Sequence, residues 1–338
     1  MKKRVMYFDV LNILATIAVV AMHMNGMVHV YSDTLAWKQA LMVEVGGFWA
    51  VPVFLMLSGA TLMGYRERYT TKDFFKKRML RTLIPFLIWS LLSMVGYRYD
   101  ISALGVRGVI NKIICCEFEA VYWFFPVLFS VYFAIPVISL LEDNRKVLWY
   151  MVGGAFAFYS FLPLAFSWLG LAWNYSLQMP VVAGYLMFPV LGYLLSTQEF
   201  KKSHRIGIYI AGLLCAVFRY VATFTMSQAE GMVNRKYFDN LGFYCVILAV
   251  AVFLFIKNSS LVGKMGENEK LVKVIKTVSG CSFGVYLVHM HFINHVLWRV
   301  IERDGFVWRT AGILITYLAS LAIIYVIRKI PVLKKIVP

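Results

Sequence analysis

Apolar positions dominate this chain in long runs, and polar positions gather between them. Runs close to the roughly 20 residues that cross a bilayer as helix recur at 5–26, 45–65, 82–98, 120–141, 147–168, 176–196, 205–226, 240–257, 277–298 and 308–328. They are continuous rather than alternating, which predicts helices and not barrel strands. Only these two structures satisfy every backbone polar group in lipid. The pattern therefore predicts an all-α, polytopic integral membrane protein of about ten transmembrane helices, forming one transmembrane domain over 1–338. No tandem repeat or low-complexity tract interrupts it. The first run has a basic start, Lys2, Lys3 and Arg4, like a signal peptide. Its long core and the lack of a small-x-small cleavage pattern predict a retained helix. Almost nothing is left over for a soluble domain.

Composition agrees with the pattern. Hydrophobic residues make up 61% of the chain and charged residues 15%, against about a quarter charged in soluble domains. Charge then sets the orientation. If the N-terminus is cytoplasmic and the runs alternate, the inner face holds the N-terminus, 66–81, 142–146, 197–205, 257–276 and the tail from 328. Those stretches carry 24 of the 34 Lys and Arg and 7 of the 17 acidic residues; the outer loops carry 9 of each, while Asp9 and Arg219 lie within runs. The whole +17 excess thus sits on one face, which is the positive-inside pattern. Both termini are expected in the cytoplasm, and a nucleic-acid partner is not needed to explain the charge. The five cysteines are odd in number and contain no C-x-x-C pair, which argues against a disulfide framework.

Ionisable groups at membrane depth are costly and usually face a bundle interior or a cavity. The opening run, "YFDVLNILATIAVVAMHMNG" (7–26), carries several polar groups. At 100° per residue, Asp9, Asn12, Thr16 and His23 fall within about 60° of arc, and Asn12 to His23 spans roughly 16 Å. This stripe either lines a narrow channel or bonds neighbouring helix backbones one group at a time. The ninth run, "SGCSFGVYLVHMHFINHVLW" (279–298), places Ser282, Tyr286 and His289 on one face and His291 and His295 on another. The i, i+4 pair could begin a metal site, but no Cys or carboxylate follows at ligand spacing, so no metal is expected. Arg219 lies about 21 Å into its run, either snorkelling outward or holding an anion in a cavity. Glu117 and Glu119 stand before "VYWFFPVLFSVY" (121–132), as a solvated helix start or as groups that orient an acceptor hydroxyl. Arg78 and Arg81, at i, i+3, sit at the cytoplasmic mouth of the third run, where guanidinium forks suit phosphates or simply anchor topology.

These residues together resemble the membrane acyltransferase-3 family, bacterial O-acyltransferases of surface sugars, over nearly the whole chain. The likeness rests on "YFDVLNILATIAVVAMHMNG", with Asp9 and His23 in matching places, "VPVFLMLSGATLMGY" (51–65), "FFKKRMLRTLIPFLIW" (74–89), "YWFFPVLFSVYFAIPVI" (122–138) and "GCSFGVYLVHMHF" (280–292), with His289 matching. Two departures stand out. Asn12 occupies the place of an arginine that is common in the family, and Val121 and Tyr122 replace a histidine before its W-F pair. The resemblance implies an acyltransferase-like domain in a bacterial plasma membrane, with cytoplasmic acyl-coenzyme A as donor, acetyl being the expected group. The acceptor would be a hydroxyl of a cell-surface or lipid-linked sugar. His23 would be the general base, or the site of transient acylation. Arg78, Arg81, Asn12 and Asp9 would bind the donor, and Tyr286, His289, Arg219, Trp123 and Glu119 would line the substrate cavity. An exporter or flippase of a lipid-linked saccharide, and a sensory or scaffolding protein, are the competing readings.

Overall fold

The computed structural model describes residues 5–179 and 181–337, and among them there is no strand. Helix α1 spans Met6–Met24, α2 Leu35–Gly47, α3 Ala50–Leu62, α4 Thr71–Arg78, α5 Ile84–Gly96 and α6 Ile101–Ile114. Next come α7 Phe124–Ile138, α8 Arg145–Ala155, α9 Leu162–Trp168, α10 Met187–Thr197 and α11 Lys202–Glu230. The series ends with α12 Phe243–Lys257, α13 Ser260–Met265, α14 Glu269–His295, α15 Phe306–Arg309 and α16 Ala311–Ile327. Seven helical stretches are long and apolar enough to cross a membrane: Met6–Met24, Leu35–Glu67, Thr71–Gly96, Ala120–Leu141, Arg145–Trp168, Lys202–Glu230 and Glu269–Arg299. Three shorter apolar helices, Gly184–Thr197, Phe243–Lys257 and Ala311–Ile327, fall on the remaining three runs.

The ends of these helices follow local chemistry. Thr34, Thr70 and Asn268 each accept a backbone N–H two or three residues on, at the starts of α2, α4 and α14, which satisfies donors that a helix leaves open. Helix α11 stops at Gly231, whose φ of 66° suits a residue without Cβ.

Three expected boundaries move. The outer connection 27–44 contains α2, because the Lys38, Gln39 and Glu44 that made it look polar sit on a helix whose other side is buried. The outer connection 98–119 contains α6, a surface helix with no fully buried residue. The sixth crossing begins with the turn Gly184–Leu186 rather than near 176, since Gly184 turns the chain with a φ of 49°.

Helix α1 lies at the centre of the bundle, packed against α2, α3, α12, α14 and α16. A helix that is apolar on nearly every side belongs in such a position. The closest approach is between α3 and α10. A methyl group built on Gly59 would overlap the Pro189 carbonyl, and one on Gly192 would overlap Met56. Small residues let membrane helices meet backbone to backbone, where dispersion rather than water exclusion holds them. This contact fixes α3, which forms one wall of the cavity described next.

Candidate active site

A cavity of about 670 Å³ runs beside α1, within the ~300–1,000 Å³ usual for ligand sites. Asp9, Asn12 and His23 of the polar stripe all line it. Thr16 does not; its hydroxyl donates to the Asn12 carbonyl at 2.7 Å, within its own helix. The cytoplasmic end is formed by Asp9 and Asn12 with Thr61, Arg78, Tyr132 and Ser279. The middle is formed by Phe54, Ser58, Phe124, Ser282 and Tyr286, and the outer end by His23, His29, Glu44, Phe48, Trp123, Asn240 and Arg303. Its polar groups therefore follow the direction of the membrane normal.

His23 is held from behind. Its Nδ1 lies 2.8 Å from His289 Nε2, and the two rings are near coplanar at 18°. His289 is fully buried, and its Nδ1 faces the carbonyl oxygens of Tyr286 at 2.8 Å and Val285 at 3.2 Å. Carbonyls only accept, so the proton of an uncharged His289 sits on Nδ1 and its Nε2 offers a lone pair. The proton of His23 must then lie on Nδ1, donated to that lone pair. His23 Nε2 is left unprotonated, without a protein partner, on a half-buried ring that opens onto the cavity. A chain of hydrogen bonds starting at the α14 backbone thus selects the tautomer of a base.

The sequence model of a family described as an acyltransferase domain, the acyltransferase-3 family, matches residues 5–327. The chain belongs to the acyltransferase-3 family. No curated protein and no solved structure matches it. Membership makes the protein a membrane acyltransferase, which sets aside the exporter and scaffold readings.

In this acyltransferase the other expected site residues separate into two groups. Asn12, in the place of the common family arginine, bridges helices: its Nδ2 donates to the Ser279 carbonyl at 3.0 Å and contacts Ser279 Oγ at 3.1 Å. Arg78 lines the inner cavity, and its Nε is buried with no hydrogen-bond partner. The guanidinium lies over the Tyr132 and Phe74 rings, 5.5 and 5.7 Å from their centroids. Arg81 does not join it. Residues Met79–Leu83 form a π-turn, whose wider i→i+5 winding breaks the shared face expected from i, i+3 spacing. Arg81 is exposed and off the cavity. Tyr286 and Trp123 line the cavity as expected, and the Tyr286 hydroxyl donates to the Val121 carbonyl.

His289, Arg219 and Glu119 are not cavity-lining groups. His289 stands behind His23. Arg219 is buried between α2 and α11, where its Nε donates to the Tyr237 carbonyl at 2.7 Å and its guanidinium stacks on Phe48 at 3.7 Å. Glu119 accepts from the Tyr97 hydroxyl at 2.6 Å, and burial raises its carboxyl above the usual range. His291 and His295 are also turned away. Tyr97 packs against both rings, and Ser93 Oγ lies 3.0 Å from His291 Nε2. Among the described residues, no group of three His, Cys, Asp or Glu side chains is placed to hold a metal ion. Sequence reasoning missed Glu44, His29, Asn240 and Arg303, which stood in apparent loops. It also missed Ser58 and Thr61, whose hydroxyls are common in membrane helices.

Proposed function

We propose that this enzyme carries an acyl group, acetyl being the expected one, from cytoplasmic acyl-coenzyme A to a hydroxyl of a cell-surface or lipid-linked sugar. Its site would be the plasma membrane of a bacterium. The observation that carries the reading is the cavity itself, with a partnerless guanidinium nitrogen at its cytoplasmic end and an unprotonated imidazole nitrogen farther out. A phosphate-rich head suits Arg78, since charge-assisted hydrogen bonds to phosphate are the strong ones. The inner cavity, edged by Asn12, Ser58, Thr61 and Ser279, suits a thin arm bearing amides. The thioester would then reach His23.

In the reaction, His23 Nε2 takes the proton of the acceptor hydroxyl as its oxygen bonds to the thioester carbon. The carbon–sulfur bond breaks, and the imidazolium returns its proton to the leaving thiolate. General-base help of this kind is worth about 10²–10⁴ in rate. Holding donor and acceptor in one cavity supplies the proximity. The inner and outer ends of one passage let the two substrates arrive from opposite faces without mixing.

The test is direct. Full-length protein in lipid nanodiscs is titrated with acetyl-coenzyme A, and the surface polysaccharide of cells with and without the gene is compared by mass. The reading expects donor binding and one acetyl increment that disappears in His23→Ala. Absence of donor binding, or an increment that persists in His23→Ala, overturns it.

A further inference from the structure

The outer end of the cavity holds a carboxylate that the reaction above does not use. Glu44 is 5% exposed, yet its side chain lines the cavity. Its carboxylate has one ion pair, to Arg219 Nη2 at 4.0 Å, and receives no hydrogen bond. The neighbouring guanidinium is spent elsewhere, on the Tyr237 carbonyl and, through Nη1 at 3.4 Å, on the Glu44 carbonyl. An ionised carboxylate has about four acceptor sites, and a buried acceptor left without a donor costs about 1–3 kcal/mol. Such a group is stable when something entering the cavity supplies the donors.

Topology puts Glu44 on the acceptor's side. It precedes the α2–α3 bend, Asn240 lies between α11 and α12, and Arg303 lies between α14 and α15; all three belong to the outer end, beyond His23. Trp123, 39% exposed, is the aromatic surface at that end. The charge of Glu44 is matched by Arg219, so the pair offers lone pairs without a net field that would select a cation.

We infer that Glu44 is the specificity-determining residue for the acceptor: it receives hydrogen bonds from hydroxyls of an uncharged polyhydroxylated ring, positioned beside Trp123, and Arg219 holds it in place. This deepens the function proposed above and rests on it. The hydroxyl that reacts is the one such a pose turns toward His23 Nε2, so Glu44 acts on orientation and not on the proton itself.

The experiment uses the full chain in nanodiscs and saturation-transfer NMR with methyl β-glucoside, methyl β-glucosaminide and methyl β-glucuronide as probes. Methyl β-glucoside is expected to bind, and Glu44→Ala to weaken it by about 10–100-fold. Glu44→Gln, which keeps one acceptor oxygen, should fall between the two. The aminated probe should bind no tighter than the neutral one. Acetyl-coenzyme A binding, which depends on the other end of the cavity, reports that each variant is folded; if Glu44→Ala loses it, Glu44→Gln carries the test. Equal glucoside affinity in wild type and the folded variant overturns the inference, and so does a tenfold preference for the amine. If the wild type fails to bind acetyl-coenzyme A, the function proposed above falls, whatever the sugars do.

Discussion

The most informative perturbation removes the acceptor behind His23. In His289→Leu the His23 Nδ1 proton loses the lone pair it meets at 2.8 Å. An unsatisfied buried donor costs about 1–3 kcal/mol. The ring can escape that cost by turning over or by moving its proton to Nε2. Either escape removes the lone pair from the cavity. At 1.4 kcal/mol per tenfold, the productive arrangement becomes about 5–150 times rarer, and kcat should drop by that factor. His289→Gln keeps a carbonyl oxygen near the place of Nε2, so it should stay within about tenfold of wild type by the same arithmetic. His23→Ala should lose the full 10²–10⁴ of general-base help. The assay is acetyl transfer by the reconstituted enzyme, with acetyl-coenzyme A affinity measured in parallel to show that the inner end is intact. Equal activity of His289→Leu and wild type would refute the tautomer argument, as would equal losses in the Leu and Gln variants.

Arg78→Ala should weaken acetyl-coenzyme A binding by about 10–100-fold, the worth of a charge-assisted contact, whereas Arg81→Ala should change it by less than about threefold; equilibrium titration separates the two. Gly59→Val should lower the melting temperature of the solubilised protein sharply, because the new side chain meets the Pro189 backbone rather than a side chain that can move; an unchanged melting curve would mean that α3 and α10 do not touch as described. The carboxyl of Glu119 is raised by burial, so its stabilising share is full below its unfolded value and is lost as pH rises through its folded value. The melting temperature of wild type relative to Glu119→Gln should therefore be more favourable near pH ~4.5 than near pH ~7.5, and the opposite slope would contradict the burial.

The ten crossings were legible because continuous apolar length is what lipid demands, and the inner face was legible because lysine and arginine stay where they start. The α1 stripe was legible because Asp9, Asn12 and His23 share one helix, where spacing alone sets direction. The partnership of His23 with His289 spans 266 residues; periodicity put His289 on a face with Tyr286 but not that face against α1. Glu44 and Arg219 were hidden for the same reason, each lying in a pattern that looks ordinary without the other. Arg81 was misplaced by a π-turn, a change of winding that no residue type announces. Helix α2 was read as a loop because its polar side outweighed its buried one in a simple count of apolar residues.

The account depends on one spatial claim, that a thioester entering from the cytoplasm comes to rest at His23. A cryo-EM structure of the full chain with a non-hydrolysable acetyl-coenzyme A thioether tests it most directly. The account predicts the phosphates at Arg78, the arm along α1, and the acyl carbon at roughly 3–3.5 Å from the acceptor oxygen position beside His23 Nε2. An analogue bound outside the cavity, or one entering beside Glu44 with its phosphates at the outer face, would contradict it.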